Sequence, residues 1–330
     1  MRFGTFIPQG WRFDLVGIDP SEQWATMQRL AQRADDGPWE SLWVYDHFHT
    51  TPVPSEEATH EAWTLMSAFA ASTSRIRLGQ MCTCMGYRNP AYLAKVAATV
   101  DHVSSGRVEM GIGGGWYEHE WRAYGYGFPA IGDRLRALRE GVEIMKQGWE
   151  TGRATLDGRY FQVDGAIVQP QPIQQPGIPI WVAGGGEKVT LKIAATYASY
   201  TNFGSANVDE FRHKNQVLQG HCDALGRDHT EITRSTSINV VLGENQADVN
   251  DRLARITDRA NRFVPESGRE RFLEDIAPAS PGIGTPEQVA EHLQALKEAG
   301  VDYTIAYFPE LAYDTSGAEL FEKQVIPALA

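Results

Sequence analysis

Residues 44–50, "VYDHFHT", set an aspartate beside one histidine and a second histidine two residues on. Asp46, His47 and His49 are side chains that ligate a divalent metal, as in the H-x-H of barrel amidohydrolases, and also side chains that move protons. A closed metal site needs further ligands from later in the chain. The remaining histidines (His60, His102, His119, His213, His221, His229, His292) fall mostly in helical or loop patterns, and the last apolar run ends "AYFPE" without an aspartate. The plainer alternative is an Asp-His pair that caps a helix and bonds a loop. The expectation is no metal.

A second stretch, "LGQMCTCMGYRNP" at 78–90, holds Cys82 and Cys84, two of the three cysteines. One residue apart on a strand they share a face, which suits a metal pair, a redox pair or ordinary packing. Two glycine runs, "GIGGGW" and "AGGGEK", close successive apolar runs, and each precedes a helical pattern. Main-chain amides exposed at such turns bind phosphate without a formal positive charge. The alternative is a tight turn that needs glycine for its backbone geometry alone. Trp43, Phe48, Tyr87 and Trp116 crowd the same segments. They are either packing or the walls of a pocket for a flat heteroaromatic ring.

Elements of alternating type must position these residues. Strand-length apolar runs at "RFGTFIP", 41–48, 75–82, 107–115, 178–186, "SYTNFG", "RSTSINVVLG" and "VDYTIAYFP" are separated by helical periodicity. Ser21 is the expected cap of the first helix, with Trp24, Met27, Leu30 and Ala34 on its buried face. Pro90 opens the third, and Leu135, Leu138, Val142, Met145 and Trp149 stripe the fourth. Thr285, Pro286 and Gln288 spell a capping box. Residues 153–177 read as a hairpin insertion followed by a Pro/Gln tract, and 244–283 as an insertion of one or two short helices. Eight strands each followed by a helix predict one (β/α)8 barrel domain over 1–330, whose chemistry sits at the C-terminal strand ends. A doubly wound sheet is the alternative, but no G-x-G-x-x-G follows the first strand.

The chain has 330 residues and net charge −12, with no basic cluster for nucleic acid or an anionic membrane. No apolar run reaches a membrane span, and "MRFGTFIPQG" has no signal-peptide pattern. Three cysteines argue against a disulfide framework. These features predict a cytoplasmic protein.

Over essentially its whole length the sequence resembles the luciferase-like flavin and deazaflavin oxidoreductases, and within them the coenzyme F420-dependent branch. The resemblance lies in "FGTFIPQGW", "SLWVYDHF", the run 78–129, "WVAGGGEK" and "GTPEQVAEHLQALKEAGVDYTIAYFP". It implies a barrel with an isoalloxazine-like ring in its mouth, backed by a non-proline cis peptide at Met81–Cys82. It implies no metal or disulfide for the cysteine pair. By the same resemblance, Asp46 and His47 stand beside the reactive carbon. Gly114, Gly115, Ala183, Gly184, Gly185 and Gly186 contact the ribityl chain and phosphate, and Trp43, Tyr87 and Trp116 wall the substrate pocket. The implied activity is hydride transfer between reduced F420 and an electron-poor imine, enone or nitroaromatic, with an F420-reducing partner enzyme and a homodimeric state. The alternative is an FMN-dependent two-component monooxygenase. Trp116 stands where some sugar-phosphate dehydrogenases of the family carry a glutamate, and Ser199 where relatives often have an aspartate, which argues against sugar-phosphate oxidation.

Overall fold

The structure, a computed structural model, describes residues 1–204 and 207–329. The chain opens with β1 (Arg2–Phe6), α1 (Pro20–Asp36), β2 (Ser41–Val44), α2 (Ala62–Ser72), β3 (Arg77–Gln80) and the short β4 (Thr83–Cys84). Next come α3 (Pro90–Val103), β5 (Val108–Gly113), α4 (Glu118–Ala123), α5 (Ile131–Thr151), β6 (Arg153–Asp157) and β7 (Gln162–Ile167). β8 (Ile180–Ala183), α6 (Thr190–Tyr197), β9 (Tyr200–Asn202), α7 (Val208–Leu225), β10 (Thr233–Asn239) and β11 (Val241–Leu242) follow. The chain finishes with α8 (Gln246–Phe263), α9 (Glu266–Glu274), β12 (Ile283–Gly284), α10 (Pro286–Glu298), β13 (Tyr303–Tyr307), α11 (Ser316–Leu320) and α12 (Ile326–Leu329). The main sheet runs β3-β2-β1-β13-β10-β9-β8-β5, and β3 also pairs with β5, so the ring closes as a (β/α)8 barrel. β2 and β5 are buried along their whole length, as strands covered on both faces must be. Among the described residues no helix is long and apolar enough to cross a membrane.

The expected elements appear, but the strands are shorter than the apolar runs, β2 ending at Val44 and β8 at Ala183, and three further adjustments are needed. α1 starts at Pro20, not after a Ser21 cap: Asp19 caps it, accepting the Ser21 N–H at 2.9 Å, because proline fits the first helical position. Trp24 is 37% exposed, while Met27, Leu30 and Ala34 carry the buried stripe. The 244–283 insertion holds two helices, of which α8 is not short at 18 residues. Asn89 caps α3 ahead of Pro90, and the Thr285–Gln288 capping box forms as read.

Two compact units divide the chain. The first comprises Met1–Glu61, Gly204–His213 and Arg234–Ala330. In it, Gly4 of β1 leaves room for Trp43, whose indole N–H donates to Ser41 Oγ at 2.5 Å. A Cβ at Gly4 would sit 2.6 Å from that indole nitrogen, so the position is closed to side chains. Phe13, Val16, Val249, Ile256 and Phe272 pack α8 and α9 onto this unit.

Ala62–Phe203 and Lys214–Thr233 form the second unit. Here the buried guanidinium of Arg107 donates to the carbonyls of Ser104 (2.6 Å), Ile76 (2.7 Å), Ala70 (2.9 Å) and Thr73 (2.9 Å) and to Thr73 Oγ1 (2.8 Å). It thereby satisfies the carbonyls that the end of α2 leaves open. Inside the sheet, Glu109 accepts from Arg77 and from the Trp181 indole at 2.7 Å. The 153–177 insertion contains the antiparallel β6–β7 hairpin. Glu140 of α5 receives the main-chain N–H groups of Arg159 (3.1 Å), Tyr160 (2.9 Å) and Phe161 (3.0 Å) at its tip.

Candidate active site

In the first unit the end of β1 is fastened by the side chain of Gln9. It donates to the carbonyls of Tyr45 (2.6 Å) and His60 (2.7 Å) and accepts the Tyr45 N–H at 2.7 Å. Gly10 follows with φ of 96°, where any Cβ would run into the Ala58 carbonyl. This turn directs the chain into Trp11, Arg12 and Asp14. Phe6 stacks on Tyr45 (4.3 Å, 5°), Trp11 leans on Tyr45 (4.0 Å), and Trp11 stacks on His47 (4.3 Å, 2°). His47 ends this aromatic file half-buried, and the neighbouring Asp46 is buried. The Trp11 indole N–H is buried without a hydrogen-bond partner.

Beneath the file lies a charged network. Asp14 accepts from the N–H of Gly10 (2.6 Å) and Gln9 (3.3 Å) and from the Tyr307 hydroxyl (3.0 Å). Burial pushes its pKa above the usual carboxylate range, against the opposing pull of those hydrogen bonds. Arg12 pairs with Asp275 at 2.5 Å and lies over the Tyr307 ring at 4.9 Å. Burial likewise raises the pKa of the Tyr307 phenol. Trp43, expected to wall a substrate pocket, is 0% exposed and presents no open surface.

In the second unit the peptide bond Met81–Cys82 is cis and non-proline. Met81 is buried and Cys82 half-buried. The cysteines are free thiols, and their sulfurs occupy space that two glycines vacate. A Cβ at Gly113 would stand 2.6 Å from Cys82 Sγ, and one at Gly115, where φ is +73°, would strike Cys84 Sγ and the Trp121 ring. Gln80 accepts the Thr83 hydroxyl at 2.7 Å, which leaves its buried Nε2 with no partner. Among the described residues, no group of three or more His, Cys, Asp or Glu side chains gathers as a metal site.

At the end of β8, Ala183 and Gly185 are half-buried, and Gly184 and Gly186 are exposed. The Gly184 N–H is already engaged by the Asn202 carbonyl at 2.8 Å, so it is not a donor for a ligand. Lys214 of α7 lies against Gly185, with its Cε 3.3 Å from where a Cβ would be, and pairs with Glu187 at 2.9 Å. Tyr87 is buried, donates to Glu120 at 3.0 Å and stacks on Tyr126. Trp116 is 56% exposed and stacks on Tyr117, whose phenol burial pushes up to about 12.

Within its own unit, then, His47 stands with Trp11, while Met81, Cys82, Gly113, Gly114 and Gly115 form one strand-end group of the other unit. Sequence reasoning missed the roles of Trp11, Gln80 and Lys214. Trp11 lay inside the quoted "FGTFIPQGW", but nothing in its spacing announced a stack 36 residues away on His47. Lys214 carried no signal, because only the fold sets a mid-helix lysine against Gly185.

Residues 1–303 match the luciferase-like monooxygenase family. The chain belongs to that family. Among its curated relatives, this luciferase-like chain is 28% identical to an FMNH2-dependent dimethylsulfone monooxygenase of Pseudomonas fluorescens, over 91% of the chain and 85% of the relative. It is 32% identical to an F420-dependent glucose-6-phosphate dehydrogenase of Kineococcus radiotolerans, over 66% of the chain and 64% of the relative. A solved F420-dependent secondary alcohol dehydrogenase shares the fold, with a TM-score of 0.82 at 21% identity over 100% of this chain and 99% of the other. The relatives of this chain thus include both F420-dependent and FMNH2-dependent enzymes.

Proposed function

We propose that this luciferase-like enzyme is an F420-dependent oxidoreductase acting on a small, electron-poor organic substrate such as an imine, enone or nitroaromatic. The observation that carries the reading is the 32% identity to an F420-dependent dehydrogenase. The residues present fit such a group. The unpartnered, buried Gln80 amide suits a ring edged with acceptor atoms, and the main chain of half-buried Gly185, beside Lys214, and of exposed Gly186 suits a phosphate. Met81 and Cys82 would back the ring, and Gly114, Gly115 and Ala183 would approach the ribityl chain.

When bound, the deazaflavin supplies two-electron hydride exchange at its C5 carbon. The protein's own part is orientation and proton handling. A ring nitrogen of His47 donates or accepts the accompanying proton, and the Trp11 stack holds that imidazole in one plane. Asp46, the neighbour of His47 in sequence, is buried. Tyr87 and Trp116 form part of the substrate wall. A coenzyme-reducing partner enzyme, a homodimeric state and cytoplasmic operation belong to the same reading.

One observation favours a second reading, an FMN-dependent two-component monooxygenase. The dimethylsulfone monooxygenase match spans 91% of the chain, against 66% for the F420-dependent relative. Titration of the purified protein with F420 and with FMN, each oxidised and reduced, separates the two. Micromolar binding of F420 alone supports the first, and binding of reduced FMN with oxygen-dependent product formation replaces it with the second.

A further inference from the structure

The turn that presents Trp11 keeps an unfavourable backbone shape. Gly10 has φ of +96°, and Phe13 has φ of +55°. The left-handed region presses a side chain's Cβ against the following carbonyl, so a bulky residue stays there only where its surroundings hold it. Within the first unit the Phe13 N–H donates to the Gly10 carbonyl at 2.9 Å, and the Thr51 N–H to the Trp11 carbonyl at 2.9 Å. Two more anchors come from the 244–283 insertion. Phe272 of α9 meets the Phe13 ring edge-on at 6.2 Å. Asp275, the residue that follows α9, pairs with Arg12 at 2.5 Å.

Asp275 is placed by its own main chain, because its carbonyl accepts from Asn239 Nδ2, at the end of β10, at 2.8 Å. The pair is open to water at one end: the Asp275 side chain is 51% exposed and that of Arg12 13%. An ion pair with one partner so exposed adds little to stability. What it does fix is the guanidinium, which lies 4.9 Å from the centre of the Tyr307 ring and 5.7 Å from that of Trp11. Within about 6 Å the face of an aromatic ring attracts a cation, so both rings hold it. Arg12 thus joins the end of α9 to the indole that stacks on His47 at 4.3 Å.

We propose that Arg12 is a positioning residue for His47: latched to Asp275, it keeps the 10–14 turn closed and Trp11 flat against the imidazole. This rests on the reading of His47 as the group that handles the proton. The α8–α9 insertion then governs turnover without touching the reacting atoms, because the histidine is correctly set only while Asp275 holds Arg12.

The test uses the full chain carrying Asp275→Asn, Asp275→Glu or Arg12→Gln. Asp275→Asn removes a half-exposed charge and leaves the main-chain bond to Asn239 in place, so its urea midpoint should stay near that of the wild type. Ring signals are read by NMR in protein labelled at histidine and tryptophan, those of His47 and Trp11 being assigned through His47→Gln and Trp11→Leu. Turnover is followed as oxidation of reduced F420 by a nitroaromatic. In Asp275→Asn and Arg12→Gln the upfield displacement that the indole imposes on the His47 ring protons should be lost. In both, kcat should fall about tenfold while KM and coenzyme Kd stay constant. Asp275→Glu keeps the charge and should restore most of each. Unmoved His47 signals, a wild-type kcat, or a loss confined to KM or to the urea midpoint overturns the proposal. If the signals move but His47→Gln turns over as fast as the wild type, the proton-handling reading falls and the positioning role with it. A wild type inert toward reduced F420 removes the F420 reading alone, and the ring signals still decide whether Arg12 sets the histidine.

Discussion

The indole of Trp11 and the imidazole of His47 lie parallel, 4.3 Å apart with 2° between their planes. One ring comes from the turn after β1 and the other from the segment after β2, so the histidine's plane is fixed by an element remote in sequence. If His47 handles the proton, His47→Gln should lower kcat by about 10²- to 10⁴-fold while coenzyme Kd stays constant. Trp11→Leu should cost less and should shift the pH profile of kcat. The double variant should be no slower than His47→Gln alone, since both changes act on one function. Additive losses measured by steady-state kinetics would separate Trp11 from the histidine.

Cys82 and Gly113 share one space, because a Cβ at 113 would sit 2.6 Å from the thiol sulfur. Gly113→Ala should therefore destabilise by about 1–3 kcal/mol through overpacking. In a Cys82→Ala background the same change should be close to neutral. Urea denaturation of the four proteins in the cycle measures the coupling, and additive costs would mean that some other neighbour resists the methyl group.

Asp14 gives the stability a pH signature. Its folded pKa lies above the ordinary carboxylate value because burial outweighs the hydrogen bonds it accepts. The native state thus holds that proton more tightly than the unfolded chain does. The resulting stabilisation is present below the ordinary value and is lost as pH rises through the folded one. Asp14→Asn cannot titrate, keeps an acceptor for the Gly10 and Gln9 amides, and can donate to the Tyr307 oxygen. Its urea midpoint should gain on the wild type as pH rises across that window, and a gap that does not change with pH would contradict this account.

Much of the fold was legible because period and punctuation agreed. Pro90 after a cap, the Thr285–Gln288 box and the strand-helix alternation all appear where they were read. The first helix misled because an exposed Trp24 happened to fall in phase with the buried stripe, and Asp19 outcompeted Ser21 as cap. The site was less legible. Asp46, His47 and the glycine runs could be picked out as residue types, and the Met81–Cys82 bond through family resemblance. What holds them could not, since Trp11 on His47 and Lys214 on Gly185 are contacts that only the closed fold creates. Trp43 shows the converse: crowding with other aromatics near the strand ends and the family resemblance suggested a pocket wall, but Gly4 opens a slot and the indole is buried.

Arg107 serves five acceptors at the foot of the second unit, a load that a planar fork of donors can carry and an ammonium cannot. Arg107→Leu should cost about 3–5 kcal/mol, because it strands buried carbonyls. Arg107→Lys should recover only a minor part of that. Thermal melts of the two variants check both statements, and near-wild-type stability of the lysine form would contradict the geometry.

Glu140 grips the β6–β7 tip through three main-chain N–H groups, and it recognises no side chain in doing so. That one contact is thus indifferent to what the loop spells. Residue 159 can therefore change without loosening that grip, whereas Tyr160 and Phe161 are also held by their side chains, the first through Asp133 and the second against the cluster of Ile144, Ala154 and Val163.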